Sequence, residues 1–382
     1  MTPPYPSRMA GAILNFWLTK GETPGYLYCC VFWVVPPAQA AVELRIAIQK
    51  QASKVEIGST TTAVIRDGSG KTLGEIAGMN SFTAQANRGN LALGQWQSRQ
   101  LFVEPTQNGY IWIQDRWYRG RVGLLPQGSG MTAINYVNAE EYLYSVVGAE
   151  AIPSWPQEAL KAQAVAARTY ALYKKIKLKS PLYDLDATTK TQVYKGLDSE
   201  FLSTQQAVDA TSEQILTYNS NLILAVFHSS SGGHTENVED VWTSPLPYLR
   251  GVVDYDQEAP VFQWTKTLGT SQIGELLGVG HLKSMVPLAT TPQGRVLRMR
   301  VVGDRASKQM TGEQIRSALG LRSSLFRVYE AEGNFYLYGR GYGHGVGLSQ
   351  WGAYYLSTQG LDYRQILSHY YQRANLALVN QR

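Results

Sequence analysis

The stretch EALKAQAVAARTYALYKKIK, entered through Ser154-Trp155-Pro156-Gln157, is the feature that most restricts what this chain can fold into. It is rich in Ala, Leu, Lys and Glu, which give up little side-chain freedom in a helix. Ser154 and Gln157 have the spacing of a capping box, and Pro156 suits a first turn. A long helix is therefore expected from about Trp155 to Lys177. Its basic end complements the helix dipole.

The pattern before this helix is different. From Val42 to about Gly130, short alternating runs (ELRIAIQ, KVEIGS, TAVIRDGSGKTLGEI, GYIWIQDRWYRGRVGLL) are punctuated by DGSG and NG, the signature of antiparallel strands and hairpins. After it, a second helix is expected across residues 199–214. Strands follow at ILTYN, NLILAVFH, RVLRMRVVG and FYLYG, with further helices near TGEQIRSALG and LDYRQILSHYY. The fold class is α+β: a β-rich N-terminal lobe over 41–130, then a mixed α/β catalytic core over 131–382 with the long helix after Glu150. No repeat of 20–50 residues and no low-complexity segment interrupts this plan. With 382 residues, 44% hydrophobic and 17% charged, the chain can bury a sizeable core and lacks the composition of a disordered protein.

The first 40 residues read as a signal peptide. Arg8 and Lys20 precede a short apolar run, Tyr26 to Val35, and Ala38-Gln39-Ala40 forms a small-x-small cleavage site. The run ends at Pro36-Pro37, short of the roughly 20 apolar residues of a spanning helix. Export to the periplasm or cell wall is expected, with no stable membrane anchor once the signal is removed. Both cysteines, Cys29 and Cys30, fall inside this segment, so the mature chain would have neither a disulfide framework nor a cysteine metal site. Cleavage takes away Arg8, Lys20 and Glu22 and moves the formal charge from +6 to +5. A mildly basic exported protein suits the anionic polymers of a cell wall. Lys and Arg are interspersed with acids, which argues against a nucleic-acid footprint.

Four separated stretches, in order, resemble the SpoIID/LytB family: AEEYLYSVVGAEAIPSWPQEALKAQAVAARTYAL (139–172), TTKTQVYKG (188–196), FHSSSGGHTENVEDVW (227–242) and GRGYGHGVGLSQWGAYYLSTQG (339–360). The likeness spans about residues 115–375. It implies lytic transglycosylase or closely related activity on the N-acetylmuramyl to N-acetylglucosamine bond of peptidoglycan. Peptide-stripped strands are preferred in the sporulation branch. LytB-type members are described as enhancers of an amidase, so the resemblance also allows, as the alternative, a non-catalytic glycan-binding activator with a cell-wall amidase as partner. No cofactor is expected. Zinc-binding members carry Cys and His in the loop before QVY, where this chain has Asp186, Lys190 and Thr191, so no metal site of that type is expected.

Glu150 matches the family's catalytic glutamate. An acid that protonates a glycosidic oxygen needs its pKa raised toward neutrality. The apolar flank Val146, Val147, Ala149, Ala151 and Ile152 favours that, whereas the N-terminus of a helix immediately downstream opposes it, and the sequence leaves the balance open. The same carboxylate can then act as base, taking the proton of the muramyl C6 hydroxyl as that oxygen attacks C1. Arg168 lies on one helical stripe with Lys161, Val165 and Leu172, where its fork of donors suits either substrate oxygens or a structural ion pair. Gln192 and Tyr194 of the QVY motif join the substrate-binding candidates. His228, Ser229, Ser231 and Glu236, around Gly232-Gly233, suggest one wall of a glycan groove. No G-x-S-x-G elbow surrounds these serines, which speaks against a serine nucleophile, and His228, His234 and His344 lack a zinc spacing. In the Gly-rich loop, His344 and Gln350 are expected as polar contacts, and Trp351 either stacks on a sugar or packs in the core.

Overall fold

The computed structural model describes residues 42–379, apart from positions 88, 179 and 243. The segment expected to be a signal peptide, with Cys29 and Cys30, lies outside the described residues.

The N-terminal alternation becomes two β-sheets. The seven-stranded sheet runs in the order Leu185–Asp186, Glu43–Ala52, Gly130–Asn138, Arg121–Gln127, Leu101–Pro105, Ala63–Asp67 and Thr72–Ile76. The six-stranded sheet runs Arg116–Tyr118, Ile111–Ile113, Lys54–Ser59, Ser81–Asn87, Asn90–Leu93 and Trp96–Ser98. Period two explains the burial: Val55 and Ile57 turn into the core that they share with Ile65, Val103 and Leu124, while Lys54 is exposed. Strands Arg121–Gln127 and Gly130–Asn138 are paired neighbours, so the chain passes position 130 inside one sheet.

Strand Gly130–Asn138 leads directly into helix α1, Ala139–Glu150, which sequence reasoning did not anticipate. The Asn138 side chain caps it by accepting from the Glu140 N–H at 2.8 Å. Tyr142, Leu143, Val146 and Val147 recur at three- and four-residue spacing and enter the same core as the two sheets. Helix α2, Gln157–Leu178, is the expected long helix. Its start differs from expectation: the Ser154 capping box is replaced by a turn, and Gln157 Nε2 donates to the Ser203 carbonyl at 3.0 Å. From Ala159 to Leu172 almost every residue is buried, because α2 sits inside the structure rather than on its surface, and its small alanines let neighbours approach closely.

The single helix expected over 199–214 is broken. A 3₁₀ turn at Gly196–Ser199 precedes helix α3, Leu202–Asp209, and the chain reaches strand Gln214–Tyr218. Of NLILAVFH, only Asn221–Leu222 and Phe227–His228 are strands. Phe227–His228 pairs in parallel with Leu348–Ser349, and this small pairing joins two distant motifs. Helices α4 (Val238–Val241), α5 (Thr270–Leu277), α6 (Gly312–Leu319), α7 (Gln350–Thr358) and α8 (Tyr363–Tyr370) follow in chain order.

Residues 263–340 build a second hydrophobic core of their own around Leu268, Ile273, Met299, Ile315 and Leu337. It is formed by α5, α6 and two three-stranded sheets. One has the order Gln263–Gly269, Asn334–Arg340, Phe326–Ala331, and the other Leu282–Thr290, Val296–Gly303, Ser307–Thr311. Among the described residues no helix is long and apolar enough to cross a membrane.

Candidate active site

Glu150 is the last residue of α1 and lines a cleft of about 450 Å³. Tyr170 and Lys174 of α2, Lys190, Phe227, Trp242 and His344 also contribute to the lining. Burial pushes the Glu150 carboxyl above the usual carboxylate range, against the opposing pull of the Val193 N–H, the Gln350 side chain and the charge of Lys195. The Val193 N–H donates to Glu150 Oε1 at 2.8 Å. The expected opposition from a downstream helix N-terminus is not realised. Residues 151–156 separate Glu150 from α2, and Glu150 stands instead at the C-terminal end of α1, where the helix dipole disfavours an anion and adds to the effect of burial.

The QVY motif works through its backbone. Gln192 and Tyr194, expected to touch substrate, are both turned inward. Gln192 Nε2 donates to the Ala167 carbonyl at 3.2 Å, its Oε1 accepts from the Tyr142 hydroxyl at 3.1 Å, and the Tyr194 hydroxyl donates to Asn135 Oδ1 at 2.8 Å. These anchors on either side of Val193 hold its N–H toward Glu150. Arg168 is likewise removed from the substrate-binding set. It is 1% exposed and donates to Glu140 at 2.7 and 2.5 Å and to the carbonyls of Gln214 and Val208. Of the two readings open in the sequence, the structural ion pair is the one present.

The HSSSGG segment divides in the same way. Ser231 is buried and donates to Asp254 Oδ2 at 2.6 Å, while the other oxygen of that carboxylate accepts from the Tyr370 hydroxyl. The N–H groups of Gly232 and Gly233 donate to Asp256 at 2.8 and 2.9 Å. These two buried aspartates, missed in the sequence, set the shape of the loop. Burial and the neighbouring Asp256 raise the Asp254 carboxyl. Glu236, expected at the glycan, is 2% exposed, accepts from Thr291 at 2.9 Å and pairs with buried Arg295 at 3.5 Å. Ser229 is half-buried, and its carbonyl accepts from the Trp351 N–H.

His344 does reach the cleft. Its Nδ1 accepts from the Val346 N–H at 3.1 Å, its ring lies 5.1 Å from Trp242 and 5.2 Å from His228, and burial with the nearby Arg295 charge pushes it down to about 3. Burial also holds His228 well below the ordinary imidazole value. Both rings are neutral at physiological pH. Gln350, at the start of α7, is buried, and its side chain acts on Glu150 from within the protein, pulling the carboxyl down. Trp351 packs edge-on to Trp155 at 5.0 Å rather than lining the cleft; Trp242, 43% exposed, is the tryptophan at the cleft. Tyr170 and Lys174 carried a faint signal, a four-residue spacing on α2 that puts the lysine 5.2 Å over the ring. Among the described residues no group of His, Cys, Asp and Glu is placed to hold a metal ion.

Residues 127–218 match the stage II sporulation protein (SpoIID) family, and residues 248–347 match a domain of unknown function, DUF8618. An uncharacterized protein of Brachyspira hyodysenteriae is 34% identical over 291 residues, covering 74% of this chain and 78% of that protein. The stage II sporulation protein D of Bacillus amyloliquefaciens is 35% identical over 266 residues, covering 64% of this chain and 76% of that protein. The chain belongs to the SpoIID family. The SpoIID match takes in Glu150, α1, α2 and the QVY loop, whereas His344 and Arg295 fall within the DUF8618 match. An amidase enhancer of Bacillus subtilis is also similar, 32% identical over 292 residues, which cover 61% of this chain and 40% of that protein.

Proposed function

We propose that this SpoIID-family chain cleaves peptidoglycan glycan strands as a lytic transglycosylase, with Glu150 as both acid and base. The observation that carries this reading is a carboxyl group with a raised pKa that is the sole carboxyl among the described residues lining the cleft. Glycoside hydrolysis ordinarily employs two carboxylates, one of which activates water or attacks C1. A single one suffices when the second nucleophile belongs to the sugar. Protonated Glu150 gives its proton to the bridging oxygen as the C1–O bond breaks. The resulting carboxylate takes the proton of the muramyl C6 hydroxyl as that oxygen closes on C1, leaving a 1,6-anhydro end and a re-protonated Glu150, with no water consumed. Trp242 offers a ring to a sugar face, and Lys174 and Lys190 offer cations to the lactyl carboxylates that muramyl units expose once their peptides are removed. This substrate lies outside the cytoplasm, so the proposal includes export through residues 1–40.

Mass analysis of digested, peptide-stripped peptidoglycan tests the reading. Anhydro-muramyl ends with wild type and none with Glu150→Gln are expected; reducing ends would make the protein a hydrolase. The similarity to an amidase enhancer supports a second reading, glycan-binding activation of a cell-wall amidase. In that case Glu150→Gln stimulates a partner amidase as well as wild type does, and neither releases glycan fragments.

A further inference from the structure

The outer face of the sheet Gln263–Gly269, Asn334–Arg340, Phe326–Ala331 has no role in the chemistry above. Alternation along Asn334–Arg340 sends Phe335 and Leu337 into the second core and leaves Tyr336, Tyr338 and Arg340 on the other side. Register places Tyr329 opposite Tyr336 and Arg327 opposite Tyr338, with Thr265 on the far flank of Tyr338. Tyr329 and Tyr338 are 52% and 49% exposed, and their rings meet edge-on at 5.7 Å across the diagonal. Tyr329, Tyr336 and Tyr338 line one shallow hollow. Tyr338 also borders a groove of about 660 Å³ that is edged by Arg327 and Arg340. Neither arginine is in an ion pair among the described residues.

We infer that this face is a second glycan-binding platform, which holds the carboxylate-bearing strand of peptidoglycan beyond the cleft. The inference rests on the glycan reading of the cleft and extends it. Three features favour a polysaccharide over a protein. The exposed rings are tyrosines, whose flat faces stack on sugar C–H faces while their hydroxyls stay hydrated, and the large aliphatic side chains of strand Asn334–Arg340 point inward. Two unpaired guanidinium groups complement the carboxylates carried by muramyl units and stem peptides. The same stretch of chain also serves both places: beyond Arg340 it passes through Tyr342, 44% exposed, to His344 in the cleft. A long strand can engage both the cleft and this face, whereas a short fragment occupies the cleft alone.

The test uses the full chain. In a Glu150→Gln background, the paired change Tyr336→Ala/Tyr338→Ala is compared with Tyr336→Phe/Tyr338→Phe by co-sedimentation with insoluble peptidoglycan sacculi. The alanine pair is expected to weaken binding about tenfold, two stacking contacts' worth, and the phenylalanine pair to retain it. With Glu150 restored, the alanine pair should cut short fragments at the wild-type rate while slowing on long strands. Unchanged sacculus binding by the alanine pair, which would leave the face to a protein partner, overturns the inference. So does a loss of binding matched by a fall in melting temperature. Absence of cleavage by wild type would sink the glycosidase reading, yet the sedimentation result would still decide the platform.

Discussion

Replacing Glu150 by Gln should remove most of the activity and at the same time stabilise the protein, and the pH dependence of that gain is the stricter test. Burial is the largest influence on the Glu150 carboxyl and raises its pKa in the folded state, whereas in the unfolded chain it titrates at the ordinary value. Below the ordinary value both states are protonated and Glu150 contributes nothing. As pH rises, the unfolded chain releases its proton first, so the folded state loses stability until its own raised pKa is passed, and the deficit is constant above that. Gln carries no charge and escapes the deficit, while its amide oxygen can still accept from the Val193 N–H. A tenfold difference in proton affinity between the folded and unfolded states corresponds to about 1.4 kcal/mol, so the gain at neutral pH is about that much for each tenfold by which burial separates the two affinities. With unfolding entropy of roughly 2.1 cal/mol/K per residue, each such step of about 1.4 kcal/mol raises Tm by about 2 °C in a chain of this size. Turnover should fall by about 10²–10⁴, the usual contribution of a positioned acid. The assay is calorimetry of both proteins from pH 4 to 8 beside cleavage of stripped peptidoglycan. A Gln variant less stable at pH 7, or a gap in Tm that does not close on acidification, would mean that Glu150 is held as an anion by Val193, Gln350 and Lys195, and its assignment as the acid would fail.

Three further outcomes follow from the same geometry. The rate of glycan cleavage should fall on the alkaline side as Glu150 loses its proton, with no second ionisation near pH 6–7, because His344 is pushed down to about 3; a histidine limb in the pH–rate profile would contradict this. Arg168→Met leaves Glu140 and two carbonyls without their donor and should cost about 2–3 kcal/mol, the lower side of a broken buried pair, since the Glu140 side chain is 24% exposed and regains water. Denaturant unfolding reads that loss, and activity per folded molecule should be unchanged. In Gly352→Ala, the new methyl would lie 1.9 Å from Asp254 Oδ1 and 2.0 Å from the Tyr370 hydroxyl, prising apart the pair that holds Ser231. A loss of about 1–3 kcal/mol in thermal or denaturant unfolding is expected.

What the chain determines by itself is local and periodic. Alternation sets the strands of the N-terminal sheets, composition sets α2, and the pattern of α6 and α8 suffices because each helix buries one face of an ordinary amphipathic sequence. Helix α1 carries the same kind of signal, a three-and-four spacing of Tyr142, Leu143, Val146 and Val147, but it is short and runs straight on from strand Gly130–Asn138 with no break in the sequence to mark its start. Residue type alone also misplaced Arg168, Gln192, Tyr194, Ser231 and Glu236: polar side chains in a chemical motif look like ligands of a substrate until their protein partners are known. Those partners are distant in sequence, Glu140, Ala167, Asn135, Asp254 and Arg295, and only the folded chain brings them within hydrogen-bonding or ion-pair distance. Tertiary structure likewise decided the question that the sequence left open at Glu150. It put the carboxyl at the C-terminal end of α1 and away from the start of α2, so that burial and the helix dipole act in the same direction.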